Sequence, residues 1–347
     1  MHGMKCPVFP MMECRALFFV RKIIRQLNRF ALVTFLSLIF VACGRPVAEN
    51  VNLNVDRSSS RSGVVPMRII TDDLGRRFTI PTKITRAISL APSVTESIFA
   101  VGAGDRLVGD TTYCNYPEEA KAIQKVGDTL NPNMETIVAL RPDVVFVSGA
   151  SQLETFTSTL DKNGIAVFVM NPSSLDEVIH NLEQLGIIFG SEDTSQKVVG
   201  ELQDREMKIT ETLGTYPVPD EQLSDYDKRV GQVRVFVQIS KEPLFTIGKG
   251  AFLNDLLRSA GARSVTANVP SAFPKLSKET ALALRPDAII LSDSPDDQEP
   301  NEVFKDSPAV KNGRVYKINA DIISRPGPRL IDALEEIAKD LHPEKFK

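Results

Sequence analysis

The sequence predicts an α/β protein of two similar lobes, each built on a mainly parallel sheet. Three observations predict it. One stretch occurs twice, METIVALRPDVVFVS at 134–148 and KETALALRPDAIILS at 278–292, with its glutamates 144 positions apart. That spacing exceeds the roughly 20–50 residues of solenoid repeats, so it indicates two lobes rather than an array. Val144–Val147 and Ala288–Leu291 are short unbroken apolar runs, the pattern of strands covered on both faces. Strand-like and helix-like segments also alternate along the chain, as crossover units of a parallel sheet do.

At the N-terminus, Arg15, Arg21, Lys22, Arg25 and Arg29 precede the apolar run Phe30–Ala42. The run is about 13 residues, short of the about 20 that a membrane span needs. A basic flank, a short apolar core and small residues read together as an export signal over 1–42. Phe40-Val41-Ala42-Cys43 resembles a bacterial lipoprotein signal, with Cys43 as the lipidated first residue of the mature chain. An uncleaved anchor helix extended back through Ile23–Leu27 is the alternative. Residues 43–66 lack any period and are rich in Ser, Asn and Arg, as expected of a flexible tether.

The first lobe is expected over 67–190. Met67–Ile70 and Arg77–Ile80 flank Asp72-Asp73-Leu74-Gly75 as a β-hairpin. Ala87–Leu90 is a strand and Val94–Val101 a helix, for which Ser93 and Glu96 form a capping box. Leu107–Asp110 is a strand, and the loop Thr111–Pro117 carries Tyr113 and Tyr116. In the repeated unit, Asn133 and Ser277 are N-caps, and Glu135 and Glu279 fall in the first helical turn. Arg141 and Arg285 precede prolines, which end each helix. After 151–163 (helix) and Ile165–Met170 (strand), Ser174 caps a helix from Leu175 to Leu185. Residues 191–213 are the longest helix-like stretch, apolar at Val198, Val199, Leu202, Met207 and Ile209. So few strong core positions suit a helix spanning two lobes or an ordinary surface helix. The second lobe is expected over 214–347. It opens on an acidic loop, 214–231, and the strand Val233–Ile239. A turn at Phe245–Gly250 leads to the helix Phe252–Ala260, the loop Val269–Pro274 and the second repeat copy. The strand Val315–Ile318, the loop Asn319–Pro328 and a helix from Arg329 to Leu341 complete it.

The function classes narrow by elimination. A net charge of −3 does not favour nucleic acid. Of four cysteines only Cys114 lies beyond residue 43, so neither an internal disulfide nor a cysteine-rich metal site is expected. The three histidines, His2, His180 and His342, are too few and too scattered for a zinc-type site or a Ser/His/Asp arrangement. Gly248-Lys249-Gly250 lacks phosphate-loop spacing, and Gly102-Ala103-Gly104 lacks the third glycine of a dinucleotide fingerprint. No enzyme, cofactor or metal centre is expected. Binding in a cleft between lobes remains, with Tyr113, Tyr116, Phe245, Phe273, Asp321 and Arg325 on the loops that would face it.

Four segments carry a resemblance: RAISLAPSVTESIFAVGAGDRLVGDTTYCNYPEEA (86–120), VGDTLNPNMETIVALRPDVV (126–145), FVQISKEPLFTIGKGAFLNDLLRSAGA (236–262) and FPKLSKETALALRPDAII (273–290). They resemble the substrate-binding proteins of ABC importers for cobalamin and ferric siderophores, from about residue 68 to the end. The resemblance implies two Rossmann-like lobes joined by one long rigid α-helix, assigned to 191–213, with a ligand cleft between the lobes. It implies a monomer that docks on a permease dimer with its ATPase, Glu135 and Glu279 being the docking glutamates, one per lobe. Stabilisation of the helix dipole by a first-turn glutamate is the alternative for both. Within the family the cobalamin-binding members are nearest: Tyr113, Phe273, Asp321 and Arg325 fall at their ligand contacts, and Phe245 matches a family phenylalanine. Phe273, Thr129, Ser148 and Ile322 stand where those members have Trp. The implied ligand is a corrinoid, with a ferric siderophore or haem as the alternative. A surface lipoprotein with an enzymatic or adhesive role is the alternative of another class.

Overall fold

Two sheets of matching strand order organise the computed structural model, which describes residues 65–148, 153–215 and 233–347. These residues belong to one unit, Gly63–Lys347. The expected export signal, Cys43, the expected tether up to residue 64, and residues 149–152 and 216–232 lie outside the described residues.

The chain enters as an antiparallel hairpin, β1 (Met67–Thr71) and β2 (Arg77–Pro81). Asp72 holds its turn: the buried carboxylate accepts from the Leu74 and Arg76 amides at 3.1 and 2.9 Å and pairs with the Arg76 guanidinium at 2.7 Å. Asp73 ties the hairpin to the first lobe through Val169, Asn171 and Asn181.

The first sheet comprises β3 (Ala87–Ser89), β4 (Leu107–Gly109), β5 (Val144–Ser148) and β6 (Ala166–Met170), ordered β4-β3-β5-β6 and all parallel. The second comprises β7 (Val233–Ser240), β8 (Phe245–Thr246), β9 (Ala262–Ser264), β10 (Ala288–Ser292) and β11 (Val315–Ile318). Here β9, β7, β10 and β11 are parallel neighbours in that order, and β8 adds to β7 antiparallel. Leaving β8 aside, each sheet places its first strand inside, its second on one flank, and its third and fourth on the other. The two copies of the repeated stretch supply β5 and β10, the same position in each sheet.

Helices cover the sheets: α1 (Pro92–Ala100), α2 (Met134–Ala139), α3 (Leu153–Lys162), α4 (Leu175–Phe189), α5 (Glu192–Leu213), α6 (Leu253–Ser259), α7 (Lys278–Leu284), α8 (Pro308–Lys311), α9 (Ala320–Ile323) and α10 (Leu330–Leu341). Both predicted caps of the repeated unit form, Asn133 accepting from the Thr136 amide and Ser277 from the Thr280 amide. Arg141 and Arg285 adopt left-handed φ values of 48° and 43° before their prolines, so each copy ends its helix the same way.

The long helix α5 is reached from α4 by a tight turn at Gly190. Gly186 lets the two helices cross closely, since a Cβ there would lie 2.5 Å from the Ser195 Cβ. Its buried positions Val199, Leu202 and Ile209 join an apolar core that includes Ile188 and Phe189 of the first lobe and Leu253, Leu256 and Leu334 of the second. On its polar side Arg205 binds Asp332 and Glu335 of α10 at 2.7 and 2.8 Å. The helix is thus packed against both lobes and ion-paired to the second, and Met207 alone of its five predicted apolar positions is exposed.

Three expectations are corrected. The capping box of Ser93 and Glu96 does not form: α1 starts at Pro92, whose fixed φ suits the first helical position, and Ala91 is the N-cap without a side-chain bond. Helix α4 runs on to Phe189, because the left-handed Gly190, not Gly186, stops it. Strand β9, helix α8 and helix α9 are additions; each is four residues or fewer, too short to show a period.

Candidate cleft between the lobes

In open parallel sheets, loops beyond the carboxyl ends of the strands form the binding crevice. The first lobe contributes the loop after β4. Its base is pinned by Asp110 and Lys125, 2.8 Å apart, with Lys125 also donating to the Cys114 and Ala120 carbonyls. Burial pushes the Asp110 carboxyl up to about 6 despite Lys125. The Cys114 thiol is buried between the Thr95 and Thr111 hydroxyls, and burial raises its pKa, so it is a packed thiol rather than a reactive one. On this braced loop Tyr113 and Tyr116 are 60% and 47% exposed.

The second lobe contributes the segment after β11. Asn319 caps α9 by accepting from the Asp321 amide, and one turn later Arg325 pairs with Asp321 at 2.6 Å. Arg325 then crosses to the first lobe, donating to Glu96 Oε1 at 2.9 Å and Asn115 Oδ1 at 2.8 Å, and at 3.4 Å to the Tyr113 carbonyl. Asn115 returns a bond to Asp321 at 3.0 Å. Arg329 grips the same Glu96 carboxylate with two bonds, 2.8 and 2.6 Å, and lies 4.1 Å over the Tyr116 ring. The Glu96 bonds hold the Arg329 proton still more firmly than usual.

Tyr113, Asp321 and Arg325 are therefore brought together. Phe245 and Phe273 lie on a separate rim of the second lobe: Phe245 bridges Lys275, and the Gly248 amide bonds to the Ala272 carbonyl. Phe273 is 50% exposed and Phe245 half-buried. Among the described residues no ring contact or hydrogen bond joins this rim to the Arg325 cluster. Glu135 and Glu279 are both exposed, each in the first turn of its helix and each preceding the equivalent strand of its sheet, β5 and β10. The Glu279 carboxyl sits below its usual range because its own amide and the Ser277 hydroxyl bond to it. Among the described residues no cluster of His, Cys, Asp and Glu could hold a metal ion. His180 is exposed beside Glu183, and His342 is tucked against Gly261.

Sequence reasoning missed Glu96, Asn115 and Arg329 as cleft residues. The available signal was a carboxylate in the middle of a helix whose residues Ser93–Ile98 are otherwise uncharged, and two arginines framing Arg325-Pro-Gly-Pro-Arg329.

Similarity to known proteins spans both lobes. A family described as periplasmic binding protein matches residues 88–322. An uncharacterised ABC transporter substrate-binding lipoprotein, YvrC of Bacillus subtilis, is 31% identical over 92% of this chain and 98% of its own length. A vitamin B12-binding protein of Vibrio parahaemolyticus is 27% identical over 76% of this chain and 92% of its own. The crystal structure of the periplasmic vitamin B12-binding protein BtuF of Vibrio cholerae superposes with a TM-score of 0.65 at 26% identity, covering 77% of this chain and 100% of that one.

Proposed function

The chain belongs to the periplasmic binding protein family, and on that premise we propose that its cleft captures a corrinoid-type ligand for delivery to a permease. It is a substrate-binding protein of an ABC transporter, an extracytoplasmic partner of a permease and an ATPase, and not an enzyme. The observation that carries the corrinoid reading is the pairing of Asp321 and Arg325 beside Tyr113, with exposed aromatic side chains at Tyr113 and Phe273. Aromatic faces suit a flat macrocycle, and a paired carboxylate and guanidinium suit its polar substituents. The relatives named for vitamin B12 support the same reading. A ferric chelate or haem is the second reading, favoured by the two exposed phenols Tyr113 and Tyr116, since a tyrosine oxygen can ligate haem iron.

Two further parts belong to the proposal. Glu135 and Glu279 dock on the permease, one per lobe, supported by their exposure and equivalent placement in a repeated helix. Cys43 carries a lipid that holds the protein at a membrane, supported by the sequence around it and by a relative named as a lipoprotein.

Calorimetric titration with cyanocobalamin, cobinamide, haem and a ferric hydroxamate tests the ligand. Saturable one-to-one binding of a corrinoid, weakened by Tyr113→Ala and Phe273→Ala, is expected. Tight binding of haem or the hydroxamate with no corrinoid binding would overturn the corrinoid reading and keep the receptor.

A further inference from the structure

We propose that Glu96 is a positioning residue: it latches the two lobes across the cleft and sets the place of Arg325. The ligand role of Arg325 rests on the functional reading above; the latch does not. Three facts on opposite sides of the cleft support it. Glu96, on α1 of the first lobe, is 3% exposed, yet all its described side-chain bonds go to Arg325 and Arg329 of the second lobe. The Arg325 and Arg329 side chains are themselves only 12% and 19% exposed. The loop between them presses on α1, where a Cβ on Gly327 would lie 3.2 Å from the Ser93 carbonyl oxygen.

The charges explain why the arrangement holds as a unit. Glu96 and Asp321 supply two negative charges, Arg325 and Arg329 two positive ones, so the group is neutral when complete. A buried guanidinium that loses its carboxylate is strongly unfavourable. Removing Glu96 takes from Arg329 its carboxylate and from Arg325 one of its two, and the segment that carries them is expected to leave the first lobe. Asp321 remains to pair with Arg325, which also keeps Asn115 and the Tyr113 carbonyl, whereas Arg329 keeps the Tyr116 ring and the more distant charge of Asp321. A ligand that engages Arg325 therefore acts on the spacing of the lobes, because the same guanidinium spans both.

The test needs no ligand. Hydrogen–deuterium exchange is compared between the full chain, purified in detergent, and its Glu96→Gln variant. Glutamine keeps the shape and one acceptor but not the charge. Exchange about tenfold faster in both 110–117 and 319–329, with β5 and β10 unchanged, is expected from the loss of the ionic bonds. Unchanged exchange in 319–329 overturns the latch. Should Glu96→Gln quicken exchange everywhere, Glu96→Asp decides, since it keeps the charge on a shorter arm: quickening confined to the two cleft segments supports the latch, and none there overturns it. Cyanocobalamin titration of the same variants is read separately. If no corrinoid binds the parent chain, the ligand reading fails while the exchange result still stands or falls by itself.

Discussion

The two lobes share a strand order but differ in the segment that leaves their first strand. In the first lobe β3 passes directly through Leu90 and Ala91 into α1, so a helix begins at the crevice and carries Glu96 into it. In the second lobe β7 makes an antiparallel return through β8 before α6, and that detour brings Phe245 beside the 271–275 segment. One fold thus supplies a carboxylate on one side of the cleft and an aromatic rim on the other. The duplicated parts, by contrast, are nearly interchangeable: α2 with β5 and α7 with β10 share the N-cap bond, the first-turn glutamate and the left-handed arginine. Symmetry is kept at the surface that we assign to a dimeric partner and lost at the surface that we assign to a ligand.

Breaking the unlike side should have the largest effect. Glu96→Ala leaves the mostly buried Arg329 without its carboxylate and Arg325 with Asp321 alone, and is expected to lower stability by about 3–5 kcal/mol, measured by chemical denaturation. A loss below about 1 kcal/mol, as for an exposed pair, would mean that the cleft group is solvated and loosely held. Next, Glu135→Ala with Glu279→Ala is expected to weaken capture of the matching permease by about tenfold or more, as loss of complementary charges at an interface does. Each single change should weaken it less and by equal amounts if the lobes dock equivalently; one dominant glutamate would break the symmetry.

The caps sharpen the comparison at smaller magnitude. Asn133→Ala and Ser277→Ala should each cost about 1 kcal/mol, and a similar pair of values in thermal melts is expected. A pH-dependent contrast comes from Glu206 on α5. Burial first, then the charges of Asp176 and Asp255, push its carboxyl up to about 7 from the ordinary 4.5. The folded state holds this proton more tightly than the unfolded chain. Its stabilising contribution is therefore complete below about pH 4.5 and lost as pH rises through 7. Glu206→Gln is expected to raise the melting temperature at pH 8 and leave it unchanged at pH 4; a gain of equal size at both would contradict the assignment.

These differences also explain what was legible in the sequence. The repeated unit was readable residue by residue, because its caps, its pre-proline stop and its buried strand are all local, set within about fifteen positions. The long helix was readable because Gly190 and Gly214 bound it and its polar face is wide. Tyr113, Asp321 and Arg325 were named as residues of cleft-facing loops, and as shared ligand contacts only through a resemblance; spacing alone does not bring together residues on either side of the chain's midpoint. Glu96 was misassigned for a physical reason. Ser-x-x-Glu is a helix-start pattern, but Pro92 took the first helical position, freed Ser93 and Glu96 from capping, and turned the carboxylate toward partners 229 and 233 positions away. No local rule carries information over that distance.

The most direct measurement is the hydrogen-exchange footprint of cyanocobalamin on the full chain. Slowed exchange is expected in 110–117, 245–248, 271–275 and 319–329, on both sides of the cleft, with 134–140 and 278–284 unaffected and left for the permease. Saturating ligand with no slowing at those four loops, or slowing confined to one lobe, would contradict it.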